Sequence, residues 1–260
     1  MAERIALGAT LEAGRTEAHG QLLAEANRAR HRRQDRRAIG LYRRILLEDP
    51  RHVEAALRAA PLLASQGEAF EAWQLYRMAA TELHRARRMD ACLAVLRDAC
   101  RCVPHEYDAW RLRAELEQKL GREEDAYDTL LEGGQRFDRP HTAMQAIALL
   151  LRARAIEPRD PEVALDLARL YLRTGMIESA LTLLAALAPC VQGRVLRRVR
   201  GLQWRITLSF YHAWRWLEAL WQELRGERDP AAAVIAASDP ASGRVARRGA
   251  VPEPYLPFES

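Results

Sequence analysis

The sequence predicts an all-α solenoid of antiparallel helices, closed by a C-terminal capping helix and followed by a disordered tail; three observations predict it. The first is a fixed period of 54 residues. Laid without gaps on residues 107–160, residues 53–106 bring Ala60 onto Ala114, Leu62 onto Leu116, Gly67 onto Gly121 and Ala72 onto Ala126. The same shift brings Ala94 onto Ala148, Leu96 onto Leu150, Ala99 onto Ala153 and Pro104 onto Pro158. A third copy from Pro161 holds Ala168, Leu170, Gly175 and Ala180 in those places, and Ala18 and Pro50 mark a fainter one near the N-terminus. Self-similarity of this kind marks stacked helical units, each too small to bury its own apolar face. The second observation is compositional: 49% of residues are hydrophobic but only 7% aromatic, so Ala and Leu must carry the core, as in close-packed helices. The third is that no segment alternates with period two, so no strand is expected.

Each 54-residue block reads as three helices. In the best-defined block they span Val53 to Ser65, Ala69 to Arg85, and Asp90 to Arg101. Gly67 just past the first and Pro104 just past the third are the stop signals. Asp90 and Asp35 are the expected N-caps, because a short acidic side chain accepts from the orphan backbone donors of a first turn. Pro61 falls inside the first helix, where its missing N–H frees a carbonyl and should kink the chain. The recurring alanines Ala60, Ala72, Ala114, Ala126, Ala168 and Ala180 are expected where helix axes approach at the low end of the usual ~8–10 Å. Tyr76, Leu130 and Leu184 fill the space between neighbouring pairs. The pair Gly133 and Gly134 is expected inside a helix, admitting a close neighbour rather than cradling a phosphate.

These residues resemble the tetratricopeptide repeat family over about residues 19–190. The stretch from Pro161 to Ala188 is the most similar, through Leu167, Ala168, Tyr171, Gly175, Ala180 and Leu184. Residues 53–80 are similar through Ala60, Gly67, Ala72, Tyr76 and Ala79, and residues 73–106 through Tyr76, Ala80, Leu83, Leu96, Ala99 and Pro104. The structural-repeat set is therefore Ala60, Gly67, Ala72, Pro104, Ala114, Gly121, Ala126, Pro158, Ala168, Gly175 and Ala180. The resemblance implies helix pairs of 34 residues, here each followed by a single helix, and a concave surface for protein partners. The family's clamp for C-terminal carboxylates, basic and Asn-containing, is not carried over, because Asn27 and Lys119 are the chain's sole Asn and Lys.

After Pro189 the pattern changes. Residues 194–225 hold Trp204, Trp214, Trp216 and Trp221, four of the six tryptophans. Read as one helix, this segment puts Arg205, Ser209, His212, Arg215 and Glu223 on one side. Leu202, Ile206, Phe210, Ala213, Trp214, Leu217 and Trp221 lie on a broad opposite face. The expected organisation is a repeat array over 1–193, an amphipathic capping or interaction helix over 194–225, and a disordered tail over 226–260, rich in Pro, Ala, Gly and Ser. As a lid, the tryptophan face would cover Leu183, Leu184 and Leu187; as an interaction surface it would anchor a partner, since Trp and Arg are typical interface residues.

Charge and chemistry narrow the function classes. Net charge is +5, yet Lys119 alone among 40 basic residues is lysine, a uniform arginine usage that reads as GC-rich bacterial coding rather than phosphate recognition. The run Arg28, Arg30, Arg32, Arg33, Arg36 and Arg37 carries no interleaved aromatic to stack on bases, so it reads as a solvated face. Of the four cysteines, Cys92 and Cys102 sit inside the apolar helical pattern and behave as small hydrophobes, which fits a reducing cytoplasm. Cys100, Cys102 and His105 do not make a metal site, because residues two apart on a helix diverge and no second cysteine pair completes a tetrahedron. The N-terminus has acidic residues early and no apolar run of signal-peptide length, and no stretch reaches the ~18 apolar residues of a spanning helix. No nucleophile elbow, phosphate loop or HExxH motif occurs. The expectation is a cytoplasmic bacterial scaffold that binds protein partners, with no enzyme activity, no cofactor and no metal, and with self-association possible. The alternatives are a membrane-surface adaptor, with Arg194, Arg197, Arg198 and Arg200 preceding the tryptophans, and, more remotely, nucleic-acid binding through the basic runs.

Overall fold

The computed structural model describes residues 2–137, 139–207 and 210–225. Among the described residues there are twelve α-helices, two short 3-10 turns and no strand. In chain order these are α1 (Ala2–His31), α2 (Asp35–Glu48), α3 (Val53–Ser65), α4 (Ala69–Arg85), α5 (Met89–Cys102) and α6 (Tyr107–Lys119). They continue with α7 (Glu123–Arg136), α8 (Ala143–Ile156), α9 (Pro161–Arg173), α10 (Ile177–Leu187), α11 (Gly193–Thr207) and α12 (Phe210–Arg225). The fold is an all-α tetratricopeptide-like helical stack. The tail expected over 226–260 lies outside the described residues.

The sequence period is reproduced in the helix starts. The helices α2, α5 and α8 begin 54 residues apart, as do α3, α6 and α9, and as do α4, α7 and α10. The register ends at α11, which begins at Gly193 rather than four residues later. The chain forms two compact units, residues 1–158 and 159–260. In the first, each helix from α1 to α8 packs on the next, and α3 also meets α5. In the second, α9 packs on α10, α10 on α11, and α11 on α12. The boundary expected after residue 193 thus falls inside the second unit.

Helix ends show why the short turns form. At Gly67 (φ 86°) the chain turns left-handed, and Glu68 N–H reaches back to the Leu63 carbonyl at 3.0 Å while Gly67 N–H reaches Ala64 at 3.1 Å. This is the paired hydrogen bonding of a Schellman end, which satisfies two orphan carbonyls. Gly121 and Gly175 end α6 and α9 in the same way. Arg33 (φ 58°) and Arg87 (φ 57°), themselves 54 residues apart, hold that conformation without glycine. There Gln34 N–H bonds Ala29 at 3.0 Å and Arg88 N–H bonds Leu83 at 2.9 Å. These turns move the helix starts, so Asp35 and Asp90 are not N-caps: they lie in the first turns of α2 and α5, whose caps are Gln34 and Arg88. The side chains that do cap are His52, whose Nδ1 accepts from Ala55 N–H, and Asp160, which accepts from Glu162 N–H. Pro61 does not end α3, which continues to Ser65.

The first unit's core is built on small residues. Ala55, Ala56, Ala59 and Ala60 of α3 are fully buried, as are Ala72 of α4 and Ala126 of α7. Gly133 and Gly134 of α7 sit against α6 and α8. A Cβ on Gly133 would meet Leu149 Cδ1 at 3.0 Å and Trp110 Cγ at 3.1 Å, and one on Gly134 would meet Leu150 Cδ2 at 2.8 Å. Larger buried side chains satisfy their polar atoms: Tyr42 donates to Asn27 Oδ1 at 2.7 Å, Tyr76 to Asp98 Oδ2 at 2.6 Å, and Trp110 to the Pro104 carbonyl at 3.0 Å. Cys92 and Cys100 are buried, whereas Cys102 is only half-buried, so the second small hydrophobe of α5 is Cys100 rather than Cys102.

One polar cluster replaces apolar packing. Glu117 of α6 is fully buried, and its Oε1 accepts from Arg113 Nε at 3.0 Å while its Oε2 accepts from the Thr129 hydroxyl at 2.6 Å. Arg97 of α5 adds an ion pair at 3.5 Å. One period earlier the places of Arg113, Glu117 and Thr129 are held by Ala59, Leu63 and Leu75.

Candidate interaction surface

The second unit carries the tryptophan-rich segment, and the structure divides that segment into two helices rather than one. Position 193 is Gly (φ 56°), a left-handed residue where the chain leaves the 3-10 turn Ala188–Cys190 and enters α11. Along α11, Val199 and Gln203 turn inward and are buried, and Gln203 accepts from Arg200 at 3.0 Å. Arg198 pairs with Glu162 of α9 at 2.5 Å, tying α11 to the repeat helices of its unit. Leu183 and Leu184 of α10 are buried, and Leu187 is half-buried.

The four tryptophans fall into two groups. Trp204 of α11 and Trp216 of α12 stack, with ring centroids 6.3 Å apart and planes 26° apart. Gly201 makes room for that contact: a Cβ there would lie 3.3 Å from Trp216 Nε1. Trp214 and Trp221 point elsewhere, with 63% and 58% of their surface exposed. Leu217 and Leu224 are exposed beside them. The spacing 214, 217, 221, 224 places all four within an arc of about 80° on α12. Ala219, which is buried, lies about 180° round the helix from the middle of that arc. The ridge therefore lies on the side of α12 opposite buried Ala219.

This corrects the expected lid. A single helix puts Trp214, Leu217 and Trp221 on one broad face with Leu202 and Ile206, but α11 packs on α10 and α12 packs on α11. The physical reason is that α11 ends at Thr207 and a separate helix, α12, packs on it, so residues that would share a face of one long helix do not share one here. Phe210 and Ala213 have side chains outside the described residues, as does Ser209. Leu224 belongs to the ridge and was missed. Its signal was plain, three residues after Trp221 and seven after Leu217.

The structural-repeat residues are placed as follows. Ala60, Ala72, Ala114, Ala126, Ala168 and Ala180 are buried. Gly67, Gly121 and Gly175 end helices with positive φ. Pro104 and Pro158 follow α5 and α8. The basic run near α1 and α2 is exposed apart from Arg30, which is half-buried, and Arg37 pairs with Glu25 at 2.7 Å. Among the described residues no group of three His, Cys, Asp or Glu is arranged to hold a metal ion. No described helix is long and apolar enough to cross a membrane.

Residues 141–203 match the tetratricopeptide repeat model. No curated protein sequence matches the chain. Among solved structures, TPR-like repeats from Podosopora anserina are similar at 16% identity, covering 73% of this chain and 96% of that one, with a TM-score of 0.36. A tetratricopeptide repeat protein from Parabacteroides merdae ATCC 43184 is similar at 13% identity, covering 85% and 98%, with a TM-score of 0.31. PilW, a type IV pilus biogenesis factor, is similar at 17% identity, covering 84% and 98%, with a TM-score of 0.31. Over residues 141–203, within a run of repeating helices, the chain is thus similar to the tetratricopeptide repeat family.

Proposed function

We propose that this protein is a non-catalytic interaction scaffold whose principal docking element is the apolar ridge of α12. The observation that carries the reading is that ridge: four large apolar side chains, Trp214, Leu217, Trp221 and Leu224, exposed together at 3-4-3 spacing. Such spacing is the anchor pattern by which one amphipathic helix seats against another. Isolated exposed leucines need no explanation, but a contiguous aromatic stripe marks an interaction site. The helix pairs behind it supply a stiff support, so docking orders little of the receptor. The bacterial cytoplasm is the setting proposed, on the arginine coding bias and the free thiols.

The test is affinity capture from a lysate of the source cells, with the full chain against the double variant Trp214→Ser, Trp221→Ser. The reading expects specific partners to be lost with the ridge while circular dichroism stays unchanged. Identical partner sets for both proteins would reject it. A membrane-surface role is the second reading, resting on the same ridge and the arginines of α11; flotation of the wild type with anionic vesicles, lost in the double variant, would favour it.

A further inference from the structure

We infer that the α12 ridge is a self-association seam, and that two copies of this chain pair through it, antiparallel, about a twofold axis. This rests on the reading of the ridge as a docking element and names its occupant. The order along the ridge is Trp214, Leu217, Trp221, Leu224. Run against itself in reverse, it sets Trp214 opposite the partner's Leu224 and Leu217 opposite the partner's Trp221, and the twofold axis repeats both pairs. Every layer then holds one tryptophan and one leucine. A parallel pairing would instead alternate layers of two tryptophans with layers of two leucines, overfilled and underfilled in turn, against the uniform density of packed interiors. The pattern is therefore complementary to its own reverse, which is the requirement of a closed twofold interface.

The area is sufficient. Trp214 and Trp221 keep 63% and 58% of their surface open, and with up to about 250 Å² per tryptophan the two leave about 300 Å² uncovered in each copy. Four tryptophans from two copies thus contribute about 600 Å², and the four leucines with the flanking side chains bring the seam to about 1,000 Å², the lower threshold of a biological interface and the size of a weak, reversible one. The ridge spans about 15 Å of helix, a compact patch of the kind that concentrates binding energy at its centre. Glu218 and Gln222, both exposed, border it as a polar rim.

Sedimentation of the full chain between about 1 and 100 µM tests the inference. The expected result is a shift from the 29.5 kDa monomer to a dimer as concentration rises, with a parallel blue shift of tryptophan emission. Trp214→Ser with Trp221→Ser should weaken the dimer about 100-fold or more and leave the helix content unchanged, because both side chains are more than half exposed. Phe70→Ser, which removes an equally exposed aromatic from α4, should leave the dimer intact. A wild type that stays monomeric at 100 µM overturns the inference, as does a dimer that survives the double substitution. A monomer that dimerises only when residues 226–260 are removed would assign the ridge to the chain's own tail. A monomer whose emission shifts only with phosphatidylglycerol vesicles would assign it to the membrane. Self-pairing fails alone, and the scaffold reading stands, if the wild type is monomeric yet loses captured partners on removal of the ridge.

Discussion

Replacing Glu117 tests whether the charged cluster between α6 and α7 is structural. In Glu117→Ala the Thr129 hydroxyl, 1% exposed, loses the acceptor at 2.6 Å, and Arg113 loses the oxygen at 3.0 Å. Stranding a buried donor costs about 1–3 kcal/mol, and each lost buried methylene adds roughly 0.8. Arg97 is half-exposed and retains Asp125 at 3.7 Å, so it contributes little to the loss. The total should fall at about 3–5 kcal/mol, the usual result of removing one partner from a buried pair. The preceding repeat supplies the rescue. Arg113→Ala, Glu117→Leu and Thr129→Leu together install the residues that Ala59, Leu63 and Leu75 present one period earlier, and should return stability to within about 1 kcal/mol of wild type, since well-packed apolar groups replace buried ion pairs without loss. Urea denaturation followed by circular dichroism measures both. A single variant that loses less than about 1 kcal/mol, or a triple variant no better than the single, would refute the reasoning.

Two further outcomes follow from the helix ends and the thiols. Arg33→Gly and Arg87→Gly should each raise stability by up to about 1 kcal/mol, read as a higher urea midpoint, because they remove a Cβ from the left-handed region, whereas Gly67→Ala should lower stability by a similar amount. Burial pushes the Cys92 thiol up to about 11 and the Cys100 thiol up to about 12. The native state therefore holds these protons when the unfolded state, titrating near pH 8.5, has released them, so stability falls as pH rises from about 8.5 towards 11–12. Cys100→Ala should flatten that decline in urea midpoints measured between pH 8 and 10, and exposed Cys190 should be the first thiol to react with a colorimetric disulfide.

The repeat helices were readable because their stops are written in residue type. Gly67 bounds α3 at Ser65, and the polar step before Ala69 opens α4, so both ranges match the expectation residue for residue. The caps of α2 and α5 were misread because the turns before them use Arg33 and Arg87, and an arginine carries no sign that its φ is positive. The division into α11 and α12 was hidden for a related reason: apolar periodicity runs through Thr207 to Phe210 with neither Gly nor Pro to interrupt it. At the ridge, the tryptophans were conspicuous but their direction was not, because which face of α12 is buried depends on where α11 ends. Glu117 went unremarked since a single sequence shows an acidic residue in a helix, and only its packing partners reveal that it faces inward.

The helix count of the repeat has a geometric consequence. Short connections reverse the chain between neighbouring helices of the first unit, so these run in opposite directions, and each 54-residue copy contributes three helices, an odd number. Within the first unit α3 and α6 are equivalent in sequence yet point opposite ways, as do α2 and α5. A residue duplicated with its repeat is therefore presented upside down in the next copy, and two copies, 108 residues, are needed before a direction recurs. In arrays with an even helix count, a binding residue copied along the sequence lines up as a row. Within the first unit the same copying scatters it between opposite ends of the helices, so any row of like residues there must have been assembled from positions that are not repeat equivalents.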